Sequence, residues 1–239
     1  MPHRCPRVEC RRVLEDKCLG SEWCRELLKL VKSVEGGDEA HGFPHTLRVL
    51  CRALKLAEGR NVDYRVLVAS ALLHDIGRPF ENQAGVHHAI LSAFMARLIL
   101  PGLGFSPEEV TRVERAIIEH SFSLSKKNQD KPRPKSSIES CILSDADKLD
   151  ALGAIGIYRL VETSAQRGRN MRQTLAHYYE KLSKLPDYMC TKEARREAAR
   201  LLERLRSFVE WLYEESKNYF DLAEAVDKAF PSTGYQSRG

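Results

Sequence analysis

A chain of 239 residues, 43% hydrophobic and 30% charged, has the balance of a soluble globular protein and is long enough to bury a full core. It has no run of about 18 apolar residues, and its N-terminus, MPHRCPRVECRRVLEDKC, is charged without an apolar stretch; neither a membrane span nor a secretory leader is expected, and the sequence predicts a cytoplasmic protein. The formal net charge of +5 is mild and suits an anionic substrate as well as a nucleic acid.

In chain order almost every segment predicts helix. Ser21 is placed to cap SEWCRELLKLVKSV, which stops at Gly36-Gly37. Pro44 opens PHTLRVLCRALKLAEG, with Leu47, Leu50, Leu54 and Ala57 at helical spacing and Gly59 at its end. Asp63 caps the next helix, whose apolar run Val66 to Leu73 carries His74-Asp75 and is expected to end at Gly77. His87 to Leu100 follows, stopped by Pro101-Gly102. Ser106-Pro107-Glu108-Glu109 is a capping box that opens PEEVTRVERAIIEHS. Further helices are predicted over Ser137 to Leu149, Ala154 to Gln166 and Thr174 to Leu185, the last ended by Pro186. Thr191 is placed to cap a long helix to about Ser216, with Leu201, Leu205, Phe208 and Leu212 as its core stripe, and a separate last helix is expected from Tyr219 to Phe230. No alternating strand pattern appears, so the chain is predicted to be all-α and one domain.

Seven cysteines have no zinc-type spacing. Cys51, Cys141 and Cys190 are expected to be buried small apolar residues, whereas a disulfide is conceivable among Cys5, Cys10, Cys18 and Cys24, as in hyperthermophile proteins. Residues 125–136, SKKNQDKPRPKS, hold five Lys or Arg and two prolines and predict a surface loop, either a solvated connector or a basic flap over an anionic ligand.

Six of the eight histidines fall between residues 41 and 120. His45, His74, His88 and His120 lie at the ends of four successive predicted helices, and side chains at such ends converge if the helices pack side by side. A histidine and a carboxylate at the end of a buried apolar helix are costly unless something pairs with them, and a divalent cation would do so. Asp145, Asp147 and Asp150 interrupt another apolar segment and also need cations nearby.

The texts HTLRV, LLHDIGR, IIEHS and SDADKLDALGAIGIYR, in this order, resemble the HD superfamily of metal-dependent phosphohydrolases, most closely the small hydrolases with D-A-D-x-L-D-A-x-G-A-x-G. The resemblance covers roughly residues 38 to 165. It implies an all-α HD-domain bundle with a C-terminal helical extension: 1–37 an N-terminal helical segment, 38–165 the metal-binding core, 166–239 C-terminal helices packed on that core. It also implies His45, His74, Asp75 and Asp147 as metal ligands, with Asp145 a rival to Asp147. One departure is visible: relatives often read H-D-x-x-H where this chain has His41-Gly42-Phe43-Pro44-His45, so an Asp that would orient a ligand is replaced by Gly42.

Two imidazoles and two carboxylates suit Mn, Fe, Co, Ni or Zn, and Mg less well. Such an ion activates water and polarises a phosphoryl group. The expectation is a phosphohydrolase that cleaves a phosphoester or phosphoanhydride of a nucleotide-like substrate by metal-activated water. Lys148 is the expected phosphate contact, Arg78 and the basic loop neutralise developing charge, and His88 and His120 either hold phosphate and shuttle protons or bind a second metal with Asp75. Arg48 is expected to pair with a carboxylate. His41 and His87 read as supporting or surface residues, His3 and His177 as incidental. Expected partners are a small phosphorylated substrate and no membrane, with nucleic acid disfavoured and a homodimer left open. The rival readings are a di-iron HD-type oxygenase and a non-enzymatic nucleic-acid-binding protein.

Overall fold

The computed structural model describes residues 7–126 and 134–229 and is helical throughout, with no strand among the described residues. The basic loop falls mostly on residues 127–133, outside the described residues. The helices are α1 (Arg7–Leu14), α2 (Glu22–Glu35), α3 (Phe43–Ala57), α4 (Tyr64–Leu73), α5 (Glu81–Ala84), α6 (His88–Ile99), α7 (Pro107–His120), α8 (Phe122–Lys126), α9 (Ile138–Asp150), α10 (Gly153–Gln166), α11 (Met171–Glu180) and α12 (Lys192–Ala229).

α4 is the innermost helix. Every residue from Val66 to Leu73 is buried, as expected of a segment apolar all round. Asp63 starts it by accepting the Arg65 and Val66 amides at 3.1 and 3.2 Å. The helix ends at Leu73, earlier than expected, and His74 to Gly77 form the turn that follows. Gly77 serves close packing there, since a Cβ would come within 2.6 to 2.9 Å of Leu91, the Ser92 amide and the His88 carbonyl on α6.

α9 joins two apolar clusters. Ile142, Leu143 and Ala146 belong to the one built around α3, α4 and α7. Leu149 and, just beyond the helix, Leu152 belong to the one built with α10, α11 and α12, where Leu201 and Leu205 are buried. The polar residues of α9 are therefore held at the junction of the two.

The C-terminal part departs from expectation in two places. Pro186 does not end α11; Asn170 and Gln173 form a capping box that starts α11 at Met171, and Pro186 lies inside a 3₁₀ segment, Leu182–Tyr188, where its missing amide costs little. The long helix and the expected last helix are one, α12, because no Gly or Pro interrupts Lys192–Ala229. The cysteines differ too. Cys18 and Cys24 are joined and Cys51 is also disulfide-bonded, while Cys141 is half-buried and Cys190 exposed, so none of these last three is a plain buried apolar residue.

Asp145, the rival ligand, is a structural anchor. Its carboxylate accepts the Cys190 amide at 2.7 Å and the Thr191 amide and hydroxyl at 2.8 Å each, fastening the start of α12 to α9. Replacing Asp145 by Ala strands two amides, and chemical denaturation is expected to show a loss of about 1–3 kcal/mol. An unchanged midpoint would mean that this anchor carries no stability.

Candidate metal centre

Four donors from three regions of the chain gather around the facing rings of His45 and His74, with His45, His74 and Asp147 in mutual metal-ligand proximity and Asp75 beside them. His45 stands in the first turn of α3, His74 and Asp75 in the turn after α4, and Asp147 near the end of α9. His45 Nε2 lies 3.3 Å from His74 Nε2, 3.4 Å from Asp147 Oδ1 and 3.8 Å from Asp75 Oδ2. His74 Nε2 lies 3.9 Å from Asp75 Oδ2. Donors about 2.1 Å from a common ion stand roughly 3 to 3.4 Å apart, close to this spacing.

The proton positions favour a cation more strongly than the distances do. His45 Nδ1 donates to Asp150 Oδ2 at 2.8 Å and His74 Nδ1 donates to the Ala71 carbonyl at 2.9 Å. With each Nδ1 engaged as a donor, the two Nε2 atoms face each other, fully buried and 3.3 Å apart. Each Nε2 is thereby left facing the donor cluster, with Asp147 Oδ1 3.4 Å from that of His45, and a divalent cation between the rings would engage both. His120 follows the same rule: its Nδ1 donates to the Ile117 carbonyl and its Nε2 has no hydrogen bond to a described residue. His74, Asp75 and His120 form a second, overlapping group with metal-ligand proximity, and Glu81, His87 and His88 a third.

Asp150 performs the orienting task that Gly42 cannot. A Cβ at residue 42 would fall 2.6 to 3.0 Å from backbone atoms of Asp38 and Glu35, so no side chain fits there. The carboxylate that fixes His45 arrives instead from the far end of α9. Asp150 also receives Arg48 Nε at 3.0 Å, which is the carboxylate pairing expected of Arg48, and Arg159 Nη1 at 3.0 Å.

Arg78 forks onto Asp75, with Nε 2.7 Å from Oδ2 and Nη2 3.0 Å from Oδ1. Its Nη2 also donates to His88 Nε2 at 3.1 Å, and His88 Nδ1 donates to Glu81 at 3.1 Å. Burial drives the Asp75 carboxyl up, but Arg78, His74 and His88 outweigh it and hold the group well below the usual carboxylate range. Burial pushes the imidazoles of His88 and His120 down, to about 4 and about 3, so both are neutral near pH 7.

Asp147, Arg78, His88 and His120 line a cavity of about 280 Å³, just below the range of roughly 300–1,000 Å³ usual for small-molecule sites. Lys148 reaches its wall, but all three of its ammonium hydrogens have protein acceptors: the Ser144 carbonyl at 3.1 Å, the His120 carbonyl at 3.4 Å and the Ser144 hydroxyl. The expected direct phosphate contact is thus engaged elsewhere. Sequence reasoning passed over three side chains in the same wall, Arg167, Lys181 and His177, the last of which reads as incidental by sequence. No motif marks them, since all three residues lie beyond the recognised segment, Arg167 just past the end of α10 and the other two on α11 and at its end. His41 lies in the wall as well, its ring 6.5 Å from that of His45, and His87 caps α6 while bonding Ser123 at 2.7 Å.

An all-α domain with a histidine–aspartate cluster of this order defines the class of protein. The family profile of the HD domain matches residues 42–152. The uncharacterised protein YpgQ of Bacillus subtilis is 31% identical over 162 residues, spanning 65% of this chain and 74% of the relative. A predicted HD-superfamily hydrolase from an uncultured Thermotogales bacterium has a crystal structure that aligns at a TM-score of 0.58 with 31% identity, over 80% of this chain and 91% of that one. The crystal structure of YpgQ in complex with ADP aligns at 0.61 with 25% identity, over 80% and 96%. The chain belongs to the HD-domain superfamily, whose members bind divalent metals and include the hydrolases among these neighbours. No single helix among the described residues is long and apolar enough to cross a membrane.

Two expectations follow. Asp150→Ala removes the acceptor that holds the His45 tautomer, and metal titration should show affinity reduced about 10- to 100-fold; unchanged affinity would exclude the orienting role. Glu35 is a buried carboxyl whose Oε2 accepts the Thr46 hydroxyl at 2.7 Å while its Oε1 has no partner. Burial raises it to about 8. Since the folded value lies above the unfolded one, the folded state holds the extra proton, and stability falls as pH rises from about 4.5 to about 8. In chelator-treated protein, Glu35→Gln should remove that decline in melting temperature; a variant that tracks the parent at every pH would refute it.

Proposed function

We propose that this chain is a metal-dependent phosphohydrolase that cleaves a phosphoester or phosphoanhydride of a nucleotide. The reading is carried by the facing Nε2 lone pairs of His45 and His74, which with Asp75 and Asp147 make a donor set fit for a divalent transition-metal ion. Such an ion, when bound, acidifies water and polarises a phosphoryl oxygen. The nucleotide is suggested by the ADP bound to the relative YpgQ and by the cationic cavity.

The residues around the donors divide the remaining work. His120 Nε2, neutral and with no hydrogen bond to a described residue, is placed to accept a hydrogen bond from the attacking water and orient it. Arg78 and Arg159 line the cavity as fixed cations, each anchored by a buried carboxylate, and meet the charge that develops on the phosphoryl oxygens. Lys148 adds its charge from a fixed position and, through the His120 carbonyl, steadies the segment that carries that imidazole.

The test joins metal analysis to a phosphate-release screen over nucleoside mono-, di- and triphosphates with added Mn, Co, Ni and Mg. His74→Ala should lose both bound metal and turnover, while His120→Ala should keep the metal and lose about 10²–10⁴-fold in kcat. Full metal-dependent turnover by His74→Ala would overturn the reading.

A further inference from the structure

The cavity wall is electrostatically lopsided. Five cations line it, Arg78, Lys148, Arg159, Arg167 and Lys181, against two carboxylates, Glu81 and Asp147. The first three have protein partners: Asp75 for Arg78, Asp150 for Arg159, and Ser144 with the His120 carbonyl for Lys148. The side chains of Arg167 and Lys181 have no hydrogen bond or ion pair with a described residue, although the Lys181 ammonium lies over the Phe122 ring. Both follow helices that supply no member of the histidine–aspartate cluster, Arg167 at the end of α10 and Lys181 at the end of α11.

Lys181 is the more telling of the two. It is only partly exposed, its Nζ lies 5.8 Å from the centre of the Phe122 ring, and Asp147 is the leading opposite charge in its surroundings. Burial and the neighbouring arginines Arg78, Arg159 and Arg167 all act against its charge. A desolvated ammonium with no partner is costly, and its persistence beside other cations points to an anion that completes the set. His177 lies in the same wall one turn before Lys181, and burial with the Lys181, Arg169 and Arg167 charges pushes its imidazole down to about 4. Near pH 7 it is a neutral ring with an N–H to donate.

A single phosphoryl group at the metal centre would be met by the donor set, Arg78 and Arg159. A second group of donors, at the ends of α10 and α11 and with no side-chain acceptor among the described residues, suits a second phosphate. We propose that Lys181, Arg167 and His177 form an anion subsite for the distal phosphate of the substrate, so that the protein selects nucleoside di- or triphosphates over monophosphates. This rests on the phosphohydrolase reading for its chemistry, but the binding itself does not require turnover.

The experiment is calorimetric titration of the full chain with inorganic pyrophosphate and with orthophosphate, both Mn-loaded and after chelator treatment. Pyrophosphate should bind at least about tenfold tighter than orthophosphate in both forms, and Lys181→Met and Arg167→Ala should each weaken pyrophosphate about tenfold while changing orthophosphate less than about twofold. Arg167 is exposed, so Arg167→Ala keeps the fold and decides the matter if Lys181→Met lowers the melting temperature. Equal affinity for the two anions, or pyrophosphate affinity unchanged in Arg167→Ala, overturns the subsite. Tight Lys181-dependent pyrophosphate binding with no turnover of any nucleotide would uphold the subsite and remove the hydrolase reading. Equal turnover of mono- and diphosphates, unaffected by either variant, would uphold the hydrolase and remove the subsite.

Discussion

The carboxylate of Asp150 is the point on which the centre turns. It is wholly buried and receives the His45 ring, Arg48 and Arg159 at hydrogen-bond distance. Burial alone would favour its neutral form, but His45, Arg159 and Arg48 hold it well below the usual carboxylate range. Those contacts tie α3, α9 and α10 together and settle which nitrogen of His45 carries the proton. That choice turns the Nε2 lone pair towards His74, and the case for a cation follows from it.

Charge is arranged around this point in pairs. Arg78 is forked onto Asp75, Arg159 is held by Asp150, and Asp145 faces away to anchor α12. Pairing lets the protein keep cations in a partly desolvated wall without leaving any of them adrift. Against that background Arg167 and Lys181 stand out, because they are cations of the same wall without such a restraint.

Two apolar clusters give the centre its rigidity. α4 is buried on all sides and ends where His74 and Asp75 begin, and α9 joins both clusters while it carries Asp147 and Asp150. Close packing at Gly77 and Gly42, where a Cβ would meet neighbouring backbone, sets the turns that deliver Asp75 and His45. Side chains on such elements have little freedom to drift, which donors within 4 Å of the His45 and His74 rings require.

Much of the fold is legible in the sequence. Helical periodicity, the Ser106–Glu109 capping box, Asp63 as a cap and the apolar run before His74 each depend on neighbours within a few residues. The same holds for the order of the histidine and aspartate motifs, which is enough to indicate a metal centre and its family. Tertiary structure alone decided that Asp145 is an anchor and Asp147 the cluster member, that Asp150 replaces a missing local carboxylate, that Lys148 is engaged by protein oxygens, and that His177, Arg167 and Lys181 face the same cavity. The physical reason is that helix formation is governed by contacts within about four residues, whereas Asp150 lies 105 residues from the His45 it orients and meets it only because α3 and α9 pack together.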